Sequence, residues 1–466
     1  MQGINHYQPQ LFVYVNLEAL IPKHHILRKI DKVFDLAFVR KLTSQYYCHN
    51  NGRPSIDPEL FFRMVMVGFL FGIKHDRKLC EEITCNIAYR WYCKLNLDDP
   101  VPDHSSLSKI RDRYGAVVFE KFFDQVVNIC KANGLVKGES VITDSSLVEA
   151  DASLDSMKAK DQEQALEESN AFQNRKKTDK MPKVTLSNKS HISNTDPESS
   201  LAKKEGKPRG LKYKIHSSID ADSRVILDSN ITTGACHDTV VYLERLKYIQ
   251  NKYHLNIKEV IADRGYGAIE NIKSLNSQRI VTYIPLFSSR SGSAEPKLKA
   301  MGFYYDKDNN LYICPNGKKM QSRKHGDILG YRLPGNICKT CPQIHSCIAY
   351  DKNKNHSLVY RNPNQEFFER ELKRMKEPIF NDKLKERMWK IEGIFAEAKN
   401  NHLLSRARYR GLIKVQIQAH MISTIQNLKR LIAYTLNVLP ILGLYVIEFI
   451  GIFTIRPQKH KKSCFL

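Results

Sequence analysis

Apolar residues fill nearly every side of a helical wheel over LFFRMVMVGFLFG (residues 60–72), and Asp57-Pro58 just ahead offers an N-cap followed by proline at the first helical position. A core helix is predicted there. Behind it, Cys80, Ile83, Ile87 and Trp91 recur at near-helical spacing, and a Pro-Asp turn at 102 and 103 leads into HSSLSKIRDRY. Phe119, Phe122, Val126, Ile129 and Cys130 then form one stripe of a longer amphipathic helix. The first 135 residues therefore read as helical. Two short helices around a turn, the second carrying Ser105, Ser106, Lys109, Arg111 and Arg113, have the form of a helix-turn-helix unit and equally that of a bundle with a solvated basic face.

From Gly138 the period changes. SVITDSS (140–146) is a β-branched run, and LKYKIHSSID (211–220) and RVILDSNITT (224–233) form a hairpin around Ala221-Asp222-Ser223. IKEVIADRGYG (257–267) gives a strand that stops at Asp263, a helix begins near Ala268, and RIVTYIPL (279–286) is a further strand. The order strand, hairpin pair, helix, strand, helix, strand fits a mixed α/β sheet. Residues 155–209 carry Lys, Glu, Asn and Ser with few large apolar side chains, so their centre reads as a mobile loop. Residues 290–365 are polar and turn-rich and read as an insert. After Pro378 come KLKERMWKIEGIFAEAKNN, an Arg-rich turn, and IKVQIQAHMISTIQNLKRLIAYTL, a long amphipathic helix.

Composition narrows the partners. At 466 residues, 42% apolar and 26% charged, the chain is neither disordered, collagenous nor a coiled coil, and has room for about three domains of roughly 150 residues. The 73 Lys+Arg against 49 Asp+Glu leave a formal charge of +24, which points to a phosphate-rich partner. Eleven cysteines, an odd number, follow an N-terminus without the basic flank and apolar core of a signal peptide. A reducing cytosol is expected, and clustered cysteines there suggest metal before disulfide. The run VLPILGLYVIEFIGIFTI (438–455) has the length of a short membrane span, but contains Pro440, Gly443, Gly451 and Glu448. A charge in mid-bilayer costs about 3 kcal/mol, so a buried or oligomer-forming segment is the better reading.

Two aspartates end predicted strands, Asp144 in VITDSS and Asp263 in VIADRGYG, where open sheets present ligand-binding groups. Two carboxylates emerging side by side repel unless a cation holds them, and magnesium takes oxygen ligands. Glu386, Glu392 and Glu397 are candidates for a third ligand from a helix. At about 100° per residue, Phe395 and Lys399 lie within about 60° and 20° of Glu392, whereas Glu397 points roughly 140° away, toward solvent. Glu392 thus shares a face with a packing aromatic and a lysine able to touch phosphate.

These segments resemble, over nearly the whole chain, the DDE-type insertion-sequence transposases of bacteria, in the branch with a helical InsH-type N-terminal domain and a cysteine-bearing insert. The carriers are GRPSIDPELFFRMVMVGFLFGI, VPDHSSLSKIR, VITDSSLVEADAS, TTGACHDT, IADRGYG and RMWKIEGIFAEAKNNHLLSRARYRGL. The last is similar to the family's Tyr-Arg-Glu-Lys signature, its glutamate at Glu392 and its lysine at Lys399. Arg387, the nearest arginine, is one residue further upstream than the strict spacing, and no tyrosine closely precedes it. The resemblance implies an α+β multidomain protein: a helical DNA-binding and assembly domain (1–135), an RNase H-like mixed α/β catalytic core (136–289 and 366–437), a cysteine-rich insert (290–365) and an apolar then basic tail (438–466). It implies Asp144, Asp263 and Glu392 as ligands of two Mg²⁺ ions, with Mn²⁺ able to substitute, and an in-line displacement at phosphorus. The implied partners are double-stranded DNA with terminal inverted repeats and target DNA, engaged by a homodimer or higher homo-oligomer in the bacterial cytoplasm. Lys399, Tyr266 and Arg387 would contact DNA, while His237 and Asp238 either orient the site or build a turn.

Cys338 and Cys341 make a C-x-x-C knuckle, with Cys347 and Cys314 on either side. Four thiolates would complete a structural zinc site, bracing an insert too small to build a core of its own. Arg406, Arg408 and Arg410, interleaved with Tyr409, fit a strand-binding rim in which arginine meets phosphate and tyrosine stacks on bases. Two readings compete with an active transposase: a transposase-derived DNA-binding protein that no longer cleaves, and an RNase H-like nuclease without strand transfer.

Overall fold

In the computed structural model, the protein is described over residues 16–437 apart from 49, 53, 161–185, 204, 205, 207, 288–293, 326, 327, 354, 355, 362 and 363. The apolar tail (438–466) and the centre of the expected loop lie outside these residues. Packing gathers the described residues into two compact units, one running up to Lys258 and resuming at Arg387, the other spanning Glu259–Glu386.

The first unit opens with seven helices: α1 (Leu17–Leu20), α2 (Ile26–Val33), α3 (Phe38–Thr43), α4 (Pro58–Leu70), α5 (Asp76–Cys85), α6 (Ile87–Tyr92) and α7 (His104–Ala132). As predicted, α4 is the core helix, capped by Asp57, whose carboxylate accepts from Glu59 N at 2.9 Å. Phe62 stacks on Phe122 of α7 with ring centroids 4.3 Å apart. The buried Arg63 in this apolar helix is tolerated because Asp31 (2.6 Å) and Glu59 (3.0 Å) meet its guanidinium. α7 breaks at Gly115, where φ is +59° and ψ is −173°, a conformation open to glycine and costly for a residue with a Cβ.

Beyond it lie β1 (Ser140–Glu149), β2 (Met157–Ala159), β3 (His191–Ser193), β4 (Ser200–Ala202), β5 (Gly210–Asp220), β6 (Ile226–Thr233) and α8 (Asp238–Tyr253). β5 pairs antiparallel with both β1 and β6, and β4 pairs with the start of β5. The expected hairpin is therefore present. The flanks of the 155–209 stretch are more ordered than their composition suggested, because β2, β3 and β4 are held by backbone pairing, which needs no large apolar side chains.

The second unit holds β7 (Glu259–Ala262), α9 (Ile269–Ser277) and β8 (Val281–Tyr283), with β7 and β8 parallel, followed by α10 (Ala294–Ala300). Six more strands follow: β9 (Tyr304–Asp306), β10 (Leu311–Ile313), β11 (Lys319–His325), β12 (Ile328–Pro334), then after α11 (Gly335–Lys339) β13 (Tyr350–Asp351) and β14 (His356–Arg361). They form one sheet in the order β13-β14-β12-β11-β10-β9. This insert does build a core, from Leu298, Phe303, Tyr312, Met320, Tyr331, Leu333 and Val359, against the expectation that it is too small for one. Tyrosines supply much of the apolar area, which a reading of the stretch as polar undercounts. α12 (Gln365–Arg374) and α13 (Pro378–Asn401) come next.

α14 (Leu412–Asn437) closes the first unit. It reads as amphipathic in sequence, yet residues 417–428 are all buried. Its polar side chains face backbone rather than water: Asn427 accepts from Ile226 N and donates to Ile226 O, both at 2.8 Å, and Gln416 accepts from Ile231 N (2.7 Å) and donates to Ser229 O (2.6 Å). These amides complete the edge of β6 that β5 leaves open.

Two buried histidines make this unit acid-sensitive. Burial, opposed by the charge of Asp238, lowers His216 of β5 to about 4, and burial lowers His420 of α14 to about 3. Both values lie below the unfolded value near 6.5, so the unfolded chain takes up these protons first and stability falls as the pH drops from about 7 toward 4. Urea unfolding at pH 5 should show a loss of about 2 kcal/mol per histidine relative to pH 7.5. The substitution His420→Asn should remove about half of that difference, and equal stability at the two pH values would contradict the assignment.

Candidate active site

Asp144 stands fifth of the ten residues in β1, opposite Ser217 of β5. It was expected at a strand end; the apolar run does stop at Thr143, but ladder pairing continues to Glu149. The carboxylate accepts from Ser145 N at 2.7 Å and from Arg387 Nη1 of α13 at 2.6 Å. Both partners of that ion pair are largely buried, with side chains 15% and 13% exposed. Two positions further along the strand, Ser146 Oγ accepts from Lys399 Nζ at 2.5 Å. Long cationic side chains from α13 therefore reach β1 at two successive positions on one face. The spacing of the sequence does not expose Ser146 as a partner.

Between these two cations on α13, Glu392 is exposed and forms no ion pair among the described residues, while Phe395 is buried as expected. Glu397 does not face solvent. Its side chain, 21% exposed, is met by Gln426 Nε2 at 3.0 Å, Arg430 at 3.6 Å and Lys429. Burial pushes its pKa up, but contacts with His402, Lys429 and Gln426 outweigh that and hold it well below the usual carboxylate range. A helical wheel assigns directions on one helix and is blind to a neighbour, here α14, that covers the other side.

The predicted arginine rim divides. Arg406 and Arg410 are more than half exposed, and both reach Asp151, at 3.1 and 3.3 Å. The segment carrying them is drawn to the end of β1 by Glu149 N donating to Ser405 O (3.0 Å) and Ala407 N donating to Glu149 O (2.7 Å). Arg408 turns inward instead: its side chain is 5% exposed, 3.5 Å from Asp76 and over the ring of Phe69 at 4.6 Å. Tyr409 lies against the buried Arg111, 4.4 Å away. Neither Arg408 nor Arg111 is available as a solvated phosphate contact, since both neutralise Asp76 in the interior. Lys214 likewise holds the start of α8 through Cys236 O (2.7 Å) and Asp238 (3.3 Å), and His237 is the N-cap of that helix. These last two residues build a turn.

In the second unit, Asp263 follows β7 directly, as predicted, and accepts from Gly265 N at 2.8 Å, capping the turn Arg264–Tyr266. Tyr266, a predicted DNA contact, is 1% exposed and is instead part of the core. Arg264, which the motif does not single out, is exposed beside Asp263. Gly267 has a steric role: a Cβ there would stand 2.0 Å from Pro285 O, so Gly267→Ala should force the backbone apart and cost about 2 kcal/mol, read as a lower thermal midpoint. An unchanged midpoint would show that this close approach carries no energy.

Cys314, Cys338, Cys341 and Cys347 all line one cavity of about 30 Å³ in the insert, with apolar neighbours including Phe303 and Leu333. All four are free thiols, and Cys338 Sγ lies 3.1 Å from Ser357 Oγ. Among the described residues, no three Cys, His, Asp or Glu side chains are drawn together tightly enough to enclose an ion.

Residues 15–113 match the family described as Transposase domain (DUF772), and residues 313–432 match the Transposase DDE domain, which contains Glu392 and Lys399. Both matches are to transposase families, and together they support a DDE-type transposase. The helical N-terminal region and the order of antiparallel strands, helix, strand, helix and strand give an α+β, RNase H-like fold similar to that of DDE transposases. Among solved structures, the chain is similar to the piggyBac transposase synaptic complex with hairpin DNA, at 11% identity over 94% of this chain and 87% of that chain, with a TM-score of 0.33. It is also similar to the Mos1 transposase paired-end complex with left transposon end, at 10% identity over 51% of this chain and 61% of that chain, with a TM-score of 0.16. No curated protein sequence matches it. No helix among the described residues is long and apolar enough to cross a membrane.

Proposed function

We propose that the protein binds the terminal repeats of a bacterial insertion sequence and catalyses Mg²⁺-dependent DNA cleavage and strand transfer. The observation that carries this reading is the DDE-domain match over residues 313–432, whose helix α13 sends Arg387 and Lys399 to Asp144 and Ser146 on β1. Asp144, Asp263 and Glu392 are the proposed ligands of the divalent ions. The donor set suits the group: carboxylate oxygens are what hard cations take, and Asp144 already draws a positive charge to 2.6 Å. Bound divalent ions would supply Lewis acidity for an in-line displacement at phosphorus. The chain's own residues do the rest. Lys399 offers an ammonium two residues along the strand from Asp144, in reach of a phosphate oxygen, and Arg387 balances Asp144 when no ion is present. Arg406 and Arg410 keep exposed guanidinium groups beyond the end of β1, where they hold a DNA backbone in register.

The joining reaction separates this reading from its rivals. With a pre-cut end duplex, supercoiled target and Mg²⁺, we expect joined product from a 3′-hydroxyl end and none from a 3′-deoxy end. Cleavage without joining would identify a nuclease, and binding without either would identify a DNA-binding protein.

We further propose that the four cysteines brace the insert around one structural zinc, on the C-x-x-C spacing of Cys338 and Cys341 and the preference of zinc for thiolates, although the thiols as placed do not enclose an ion. Elemental analysis of the purified protein should give one zinc per chain, reduced by Cys338→Ser or Cys341→Ser. Metal-free protein with the same melting profile would overturn it.

A further inference from the structure

The N-terminal helices carry a positively charged feature that the carboxylates and the arginine rim do not use. α2 buries Leu27 and Ile30, and its other faces present Arg28, Lys29 and Lys32. With Lys23 and His24 from the turn before it, and Trp91 and Lys94 from the end of α6, these residues line an open cleft of about 600 Å³. The two acids in the cleft are already committed. Glu18 pairs with Arg28 and accepts from Trp91 Nε1 at 2.5 Å, and Asp31 is held by Arg63 at 2.6 Å and Lys94 at 2.7 Å. Lys23, His24, Lys29 and Lys32 form no ion pair among the described residues.

The indole of Trp91 is fixed as well as exposed to the cleft. Arg28 lies 4.8 Å and Lys94 5.0 Å from its centroid, and Glu18 holds its nitrogen. Three lysines and a histidine with no counter-charge among the described residues, spread along an open channel around a fixed aromatic, suit a chain of regularly spaced phosphates better than a single small anion. The cleft also lies wholly within the residues that match the transposase domain.

We propose that this cleft is a duplex-DNA docking surface, with Lys23, Lys29 and Lys32 on phosphates and Trp91 against the groove edge. The proposal rests on the DNA-processing reading above and names where that DNA is gripped. The test measures binding of the full chain to an end-bearing duplex by fluorescence anisotropy across a salt series. Each phosphate-bound lysine contributes about 0.9 to the slope of log K against log salt, so Lys29→Gln with Lys32→Gln should lower the slope by about 1.8 and the affinity about 30-fold at 0.15 M salt. Lys247→Gln, on the exposed side of α8, should leave the slope within about 0.3. The chain has two tryptophans, so in a Trp389→Phe background the emission of Trp91 alone should be quenched by duplex.

An unchanged slope in a double variant that melts like the parent would overturn the proposal. So would a double variant whose only change is its oligomeric state, because the cleft would then be a protein interface. A lowered slope without any Mg²⁺-dependent cleavage would leave the cleft standing and remove the catalytic reading; intact cleavage with an unchanged slope would do the reverse.

Discussion

Glu392→Gln is expected to slow Mg²⁺-dependent cleavage of an end-bearing duplex by at least about 10³-fold while leaving the thermal midpoint unchanged. The two halves of this expectation have different origins. Glu392 is exposed on α13 and pairs with nothing among the described residues, so exchanging a carboxylate for an amide of the same shape removes no stabilising contact. What it removes is a charged oxygen donor, and a hard dication binds an amide far more weakly than a carboxylate. Asp144→Asn should lose as much activity but also some stability. Arg387 is 13% exposed and would lose its ionic partner, at a cost of about 1–2 kcal/mol. A Glu392→Gln protein that cleaves at the parental rate would remove Glu392 from the site, and the next candidate on the helix, Glu397, is already spent on Lys429, Arg430 and Gln426.

Asn427→Leu is expected to lower the unfolding free energy by about 4 kcal/mol with little change in side-chain volume. Asn427 is fully buried and satisfies both the N–H and the C=O of Ile226 at 2.8 Å. Leucine would leave two backbone groups unpaired and dry, each costing about 1–3 kcal/mol. The effect should be measured by urea unfolding. Because β6 pairs with β5, and β5 with the strand carrying Asp144, loss of that edge should also raise local hydrogen exchange along β5 and β1. A loss below about 1 kcal/mol would mean that water enters and replaces the amide.

Much of the fold is legible in the amino-acid sequence. The order of β1, the β5–β6 hairpin, α8, β7, α9 and β8 follows from changes of hydrophobic period, and the Asp57-Pro58 cap marks the start of α4 to the residue. Those signals are local, and local signals survive tertiary packing. Several departures are cases where a polar side chain meets protein instead of water. Gln416, Gln418, His420, Ser423 and Asn427 make α14 look amphipathic, yet each is inside or at the edge of the core. Arg408 and Arg111 look like surface cations, yet both are buried and share the half-buried Asp76. Tyr266 looks like a contact residue because it follows Asp263, and packs inward. Charge says what a side chain needs nearby, but whether water or another side chain provides it depends on elements far away in sequence.

Asp144 shows the same limit from the opposite side. Its hydrophobic run ends one residue earlier, so the strand reads as stopping at Asp144 itself; the ladder with β5 carries it five residues further, to Glu149. That extension is what brings Ser146 under Lys399 and Glu149 beside the segment bearing Arg406.

The most direct test of the proposed function is a time course of cleavage started by adding Mg²⁺ to the full chain on a duplex carrying the element's terminal repeat, with a scrambled duplex and an EDTA control alongside. The expected result is cuts at the repeat boundary that leave a 3′-hydroxyl, appear only with the divalent ion, and are absent from the scrambled duplex. Cleavage that proceeds equally in EDTA, or that ignores the repeat, would contradict it.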